Sequence, residues 1–275
     1  MNNPFDPMRP APEEFLVTKE YRRFAEFCDA CKRHRYIGLC YGPPGVGKTL
    51  SARHYAQWDV LEPILRAQRV TLNPPTAPEV AAARSIVYTP TVTVTPKQLA
   101  TELGDLLFDL GLAVELALHP DEDSNAIRSR PWTELVLVDE ADRLKTVVLE
   151  QLRDLYDRGR FALVLIGMPG LEKRLARYPQ LYSRVGFVHN FRPLSAEEMR
   201  FILNFKWEQL GLTLCPEDFT DAEAIAAIIR ITGGNFRLVQ RLFTQIERIL
   251  RLNEMHTVTK EVVEAARENL VIGIV

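Results

Sequence analysis

The chain has 275 residues, of which 47% are hydrophobic and 25% charged, with a formal net charge of −2 at pH 7. That length and composition can build a full core in one large domain, or one plus a smaller one, and the near-neutral balance excludes a protein that coats nucleic acid through a global basic field. No apolar run approaches the ~20 residues of a membrane helix, and the N-terminus lacks the basic-then-apolar layout of a signal peptide, so no membrane partner and a cytoplasmic location are expected.

Residues 1–17 hold Pro4, Pro7, Pro10 and Pro12 with little periodicity, which predicts an extended N-terminal arm. From Thr18 to Arg35, Tyr21, Phe24, Ala25, Phe27 and Cys28 recur at three- and four-residue spacing between basic residues, which predicts an amphipathic helix. Cys28-x-x-Cys31-x-x-His34 has half the spacing of a zinc site. It falls inside this helix, however, and no second Cys/His pair lies at ligand spacing, so thiols buried in a reducing compartment are the better reading.

Tyr36 to Tyr41 reads as a short buried strand, and Leu50 to Ala56 has helical character. Between them, Gly42-Pro43-Pro44-Gly45-Val46-Gly47-Lys48-Thr49 satisfies G-x-x-x-x-G-K-[ST] in the strand-to-helix context that the motif requires. Its glycines let successive N–H groups turn inward, and the helix that follows adds its positive end toward an anion. The run from Gly42 to Leu50 is therefore expected to cradle the phosphates of ATP, with Lys48 on the β- and γ-phosphates and the Thr49 hydroxyl on Mg²⁺.

The prolines of Asn73 to Pro78 predict a loop, Ser85 to Thr89 a second strand, and Thr95-Pro96-Lys97 the start of a helix with Leu99, Leu103, Leu106, Leu107 and Leu110 on its inner face. His119 to Pro131 is polar and reads as an exposed loop, acidic at Asp121, Glu122 and Asp123 and basic at Arg128 and Arg130. Leu135-Val136-Leu137-Val138 then marks a strand buried on both faces, followed by Asp139-Glu140 at the end where open α/β sheets place their ligands. Asp139 fits the carboxylate that holds the Mg²⁺ shell, and Glu140 the base that orients a water toward the γ-phosphate; an acidic helix start is the competing explanation.

A helix over Val147 to Asp157, a buried strand over Phe161 to Met168, helical residues Leu171 to Arg184 broken near Pro179, and a fifth strand over Gly186 to Phe191 complete the alternation. This predicts an α/β domain over 18–193 with a five-stranded parallel sheet and helices on both faces. After Pro193 the pattern is helical only. Ser195-x-x-Glu198 is a capping box, and further helices over Asp221 to Thr232, Asn235 to Leu252 and Thr259 to Leu270 predict a small all-helical lid domain over 194–275.

The phosphate loop, the two acids at a strand end, Arg184 before the fifth strand and Gly233-Gly234-Asn235-Phe236-Arg237 in the helical part together resemble the AAA+ ATPases. The resemblance runs from about Thr18 onward. It implies that Arg184 is an arginine finger serving a neighbouring subunit and Arg237 a sensor in the lid, with Arg174, Arg177 and Arg241 as the nearest competitors. A guanidinium supplied in trans would couple hydrolysis to assembly. One departure stands out. The first sensor after the fourth strand is usually polar, whereas this chain has Gly167-Met168-Pro169, which implies either slow turnover or a backbone group or nearby side chain that positions the water.

Within that superfamily, Val138-Asp139-Glu140-Ala141-Asp142-Arg143-Leu144 and the compact build resemble the transposition regulators, the group of phage Mu B protein, TniB and TnsC. The resemblance implies a homo-oligomeric ring or helical filament on duplex DNA that directs a transposase. It points to Lys97 as a DNA-phosphate contact, with Arg128, Arg130 and Lys145 as other basic candidates. A secretion-associated ATPase of the ExeA type and a replication or loader ATPase share the same core and remain alternatives.

Overall fold

The computed structural model describes residues 15–66, 78–121 and 127–270. Residues 1–14 of the predicted arm, residues 73–77 of the proline loop, and Glu122 and Asp123 lie outside the described residues. The apolar runs form the strands β1 (Ile37–Tyr41), β2 (Ser85–Tyr88), β3 (Leu135–Val138), β4 (Ala162–Gly167) and β5 (Val185–Asn190). Every residue of β2, β3 and β4 is buried, as parallel strands covered on both faces require.

The strands pair in the order β2-β3-β4-β1-β5, all parallel. From β1 the chain crosses to β2 at one edge of the sheet, and it returns at the end to β5 on the other side of β1. The C-terminal end of β1 is therefore the point at which the winding changes direction, where open α/β sheets form their crevice. At the edge, β5 alternates half-buried and exposed residues.

The helices of the sheet layer are α1 (Lys19–His34), α2 (Lys48–Tyr55), α3 (Trp58–Arg66), α4 (Pro78–Ala82), α5 (Pro96–Leu118), α6 (Thr146–Arg158), α7 (Leu171–Leu175) and α8 (Pro179–Tyr182). The break expected near Pro179 separates α7 from α8. Two short helices are additional to the sequence reading: α3, and α4, which begins at Pro78 where a loop was expected to end. Proline tolerates a first-turn position because the N–H it lacks has no partner within the helix there.

Helices α9 (Ala196–Gln209), α10 (Phe219–Thr232), α11 (Phe236–Leu252) and α12 (Lys260–Glu268) follow. The capping box read from sequence starts α9, and α10 begins at Phe219 behind the cap Asp218, two residues earlier than expected. Ser195 and Glu198 form the reciprocal capping box, and Asn235 and Thr259 accept the N–H groups of Leu238 and Val262.

Two separate hydrophobic clusters result. One surrounds the sheet and ends at Phe191; the other begins at Leu194 and centres on Met199, Ile202, Trp207, Val239, Leu242 and Val263. Buried Glu20, on the first turn of α1, links them. Its carboxylate accepts the Arg192 N–H at 3.2 Å and lies 3.1 Å from His189 Nε2, while its own N–H donates to Glu198 on α9 at 3.0 Å.

Cys28, Cys31 and Cys40 are packed in the sheet core, where burial pushes all three thiols up, Cys31 to about 12. They serve as small apolar side chains. Among the described residues no helix is long and apolar enough to cross a membrane.

Candidate functional site

The loop after β1 leaves the sheet beside β4, with the Gly42 N–H directed to the Gly167 carbonyl at 3.4 Å. Gly45 and Gly47 then adopt φ of +78° and +107°, a left-handed conformation that a side chain would strain. The loop wraps around its own lysine: Lys48 Nζ donates to the carbonyls of Gly42 and Pro43, both at 2.7 Å. Burial lowers the Lys48 pKa below its ordinary value of 10.5, against the opposing pull of Cys40, Asp139 and Asp142. An anion arriving here would pull that pKa back up. Val46 is buried beneath the loop and Leu50 is exposed on the helix that follows.

β3 delivers the acids to the same place. Its end is held against β2 by the Asp139 N–H donating to the Tyr88 carbonyl at 2.9 Å. The Asp139 side chain, 3% exposed, accepts from Thr49 Oγ1 at 2.6 Å and from the Glu140 N–H at 2.9 Å. Glu140 takes a left-handed backbone conformation, φ +51°, and its carboxylate pairs with Arg143. A non-glycine residue in that region is strained, and such strain gathers at functional sites.

The helical part closes the site from the other side. The Asn235 side chain donates to the Pro44 carbonyl at 2.8 Å, and the Arg237 N–H donates to the Gly45 carbonyl at 3.0 Å. A cavity of about 250 Å³ remains between the two parts, lined among others by Lys48, Thr49, Asp139, Glu140, Met168 and Arg237. Two predicted acids, the predicted lysine and threonine, and one predicted arginine thus line one cavity.

The other predicted residues lie elsewhere. Arg184 precedes β5 at the opposite end of the sheet: its carbonyl accepts the N–H of Ile37, the first residue of β1. Its guanidinium grips Asp157 through Nε at 2.6 Å and Nη2 at 2.8 Å. Of its competitors, Arg174 donates to the Asp142 carbonyl at 2.6 Å, while Arg177 and Arg241 are exposed.

The four candidate basic residues for DNA do not form one surface. Lys97 and Lys145 are exposed at the starts of the neighbouring helices α5 and α6, beyond the C-terminal ends of adjacent β2 and β3. Arg130 is instead drawn to buried Glu115 far along α5, with Nε 3.3 Å from the carboxylate, and Arg128 shares that segment. Eighteen residues of helix, about 27 Å, separate Lys97 from Glu115. The tether through Glu115, which also accepts from Trp132 at 2.9 Å, is what takes this loop away from the lysines.

A second cavity of about 140 Å³ adjoins the first through Gly47, Leu50, Phe236 and Gln240. Its walls come from distant segments, including Phe15, Tyr21, His54 and Leu194. Phe15, expected in an extended arm, stacks on His54 with ring centroids 3.7 Å apart. Burial lowers the His54 pKa, which favours the neutral ring. No sequence pattern marks this cavity. Only the apolar character of its scattered residues could have hinted at it.

A family model described as an AAA domain matches residues 31–175. A potential ATP-binding protein of Staphylococcus aureus is 47% identical over 271 residues, spanning 95% of this chain and 98% of that relative. The ATP-dependent target DNA activator B of Escherichia phage Mu is 29% identical over 185 residues, spanning 64% of this chain and 51% of that relative, so the match covers about half of the activator. Among solved structures, the Thermotoga maritima RuvB Holliday junction branch migration motor superposes with a TM-score of 0.58 at 18% identity, over 94% of this chain and 71% of that one. The Aeropyrum pernix ORC2 protein does so with a TM-score of 0.57 at 15% identity, over 97% and 71%. These structural likenesses concern the fold. With the family match and the phosphate loop at the crevice of the sheet, the chain belongs to the AAA domain family and has its P-loop ATPase fold.

Proposed function

We propose that this protein is an ATP-dependent, oligomerising ATPase that binds duplex DNA without strong sequence preference and regulates transposition, by selecting targets and recruiting or activating a transposase. The observation that carries the reading is the single cavity shared by Lys48, Thr49, Asp139, Glu140 and Arg237, in a chain similar to a target DNA activator. The cytoplasm suits such a role.

Within the site, Lys48 would exchange the carbonyls of Gly42 and Pro43 for phosphate oxygens. The aromatic side cavity, with the neutral His54 ring, suits a purine base. Thr49 and Asp139 offer hard oxygen donors 2.6 Å apart, a set that fits Mg²⁺, and the ion would neutralise charge on the β- and γ-phosphates. Glu140 would leave Arg143 and accept a proton from water. The water oxygen bonds to the γ-phosphorus as the bond to the bridging oxygen breaks, which leaves ADP and phosphate. Arg237 would stabilise the transferred group from the lid.

Arg184 stands one strand length, about 17 Å, from the loop of its own subunit, and in this reading it serves a neighbour's nucleotide. Its release from Asp157 on assembly would make turnover slow in the free protein and coupled to oligomerisation.

Lys97 and Lys145 are the DNA contacts in this reading. Both lie at helix N-termini, and neither helix has an acid in its first turn. A cation there opposes the helix dipole, a local cost that phosphate binding offsets. Such contacts follow the backbone and carry no base code. Electron microscopy of the protein with duplex DNA and a non-hydrolysable ATP analogue tests the proposal. Regular rings or filaments that Lys48→Ala abolishes are expected, and isolated monomers beside bare DNA would overturn it.

A further inference from the structure

We propose that Asp142 positions the attacking water at the catalytic site, supplying the polar group that the end of β4 lacks. This rests on the reading of the site as an ATPase.

β4 ends in Gly167-Met168-Pro169 beside the phosphate loop, and none of the three offers a strong polar side chain; a thioether is only a weak acceptor. The chain brings a carboxylate there from the next strand. After β3 a tight helical turn over Ala141–Arg143 turns Asp142 toward β4, where its Oδ1 accepts the Met168 N–H at 3.1 Å. A Cβ on Gly167 would come within 2.7 Å of that same oxygen, so the strand is bare where the carboxylate rests. Behind it, Arg174 of α7 fixes the Asp142 carbonyl at 2.6 Å. The residue is therefore held from β4 through its side chain and from α7 through its backbone.

Asp142 also lines the cavity with Lys48 and Glu140, and its charge acts on the Lys48 ammonium. Oδ2 has no protein partner among the described residues. It can accept one hydrogen of a water and thereby turn that water's lone pair toward the γ-phosphorus. Glu140 takes the other proton as the bond to the bridging oxygen breaks, and Asp142 takes no proton in this step. Division of labour follows from how the two acids are held. Asp142 is braced, whereas Glu140 is clasped by Arg143 and must swing free. Orientation by a fixed group is effective because small misplacements of a reacting atom cost about 100-fold in rate.

The test compares Asp142→Asn, Asp142→Ala and Gly167→Ala in the full-length chain assembled on duplex DNA, measuring kcat, KM and the affinity for a fluorescent ATP analogue. Asp142→Asn keeps an oxygen for the Met168 N–H and removes the charge. It is expected to lower kcat about 100-fold with analogue affinity within about threefold of wild type. Gly167→Ala leaves the carboxylate chemically intact but displaces it, and is expected to lower kcat in the same direction. A wild-type kcat in Asp142→Asn would reduce Asp142 to a backbone acceptor and overturn the proposal, as would a loss of affinity as large as the loss of rate. Glu140→Gln separates the two levels of argument: if it turns over ATP like wild type, the assignment of the catalytic acids fails, whatever Asp142 does.

Discussion

Asn235 joins the helical part to the phosphate loop by one side chain with two jobs, and two substitutions can separate them. Its Oδ1 caps α11 by accepting the Leu238 N–H at 3.2 Å, and its Nδ2 donates to the Pro44 carbonyl at 2.8 Å. Asn235→Ala removes both. Loss of the cap costs about 1 kcal/mol and loss of the hydrogen bond about another 1 kcal/mol. At about 2–4 °C per kcal/mol for a chain approaching this size, the melting temperature should fall by about 4–8 °C. Asn235→Asp keeps the cap, since aspartate caps as well as asparagine and its charge suits a helix N-terminus. It loses the donor and sets a carboxylate against the Pro44 carbonyl, on the backbone that forms the phosphate cavity. The two rankings should therefore cross: stability falls in the order wild type, Asp, Ala, and ATP affinity in the order wild type, Ala, Asp. Thermal unfolding and titration with a fluorescent ATP analogue read the two separately. If both variants bind ATP like wild type, the contact transmits nothing between lid and loop and the reasoning fails.

Three further outcomes are expected. Glu140→Gly relieves the left-handed strain at φ +51° and should stabilise the fold by about 1 kcal/mol while lowering hydrolysis at least 100-fold, as thermal unfolding and phosphate release would register. Burial holds the Lys48 pKa below 10.5 in the free protein, so the unfolded chain binds more protons between that lowered value and 10.5, and stability from this group rises with pH across the window. Bound phosphates favour the ammonium, so ATP affinity should fall as pH rises through the same window, measured by isothermal titration in buffers of different ionisation enthalpy. Lys97→Ala and Lys145→Ala should each weaken DNA binding uniformly across sequences and lower the salt slope by about 1, whereas Arg130→Ala, far from both, should leave the slope unchanged.

The parts of the site written contiguously were legible in the sequence. Gly42 to Thr49 carries its chemistry in eight adjacent residues between a strand and a helix, and four apolar residues before Asp139 mark a buried strand whose end must face the crevice. Three of the four C-terminal helices were equally plain, since α9, α11 and α12 begin directly after Ser195, Asn235 and Thr259, whose side chains cap the first turn. What could not be read depends on residues that meet only through the fold. Phe15, His54 and Leu194 share a cavity though they come from three distant segments. Asp142 had no role in the sequence reading, because only the fold sets it beside the bare Gly167 of β4 and the Met168 N–H that follows. Arg130 looked like a free cation because nothing local reveals that Glu115, fifteen residues earlier, is buried and holds it. Helix α4 was missed because a proline marks a loop and a first helical turn equally well, and α3 because it is short and carries Pro63 in its interior, where proline ordinarily breaks a helix.

The central claim is that nucleotide at this site governs a sequence-tolerant grip on duplex DNA. Fluorescence anisotropy of a labelled duplex of arbitrary sequence, titrated with protein at low salt with and without a non-hydrolysable ATP analogue and Mg²⁺, tests it most directly. Binding that appears only with nucleotide, weakens steeply with salt, is equal on unrelated sequences and is lost in Lys48→Ala is the predicted result. Anisotropy that stays flat with nucleotide present, or that rises equally without it, would contradict the account.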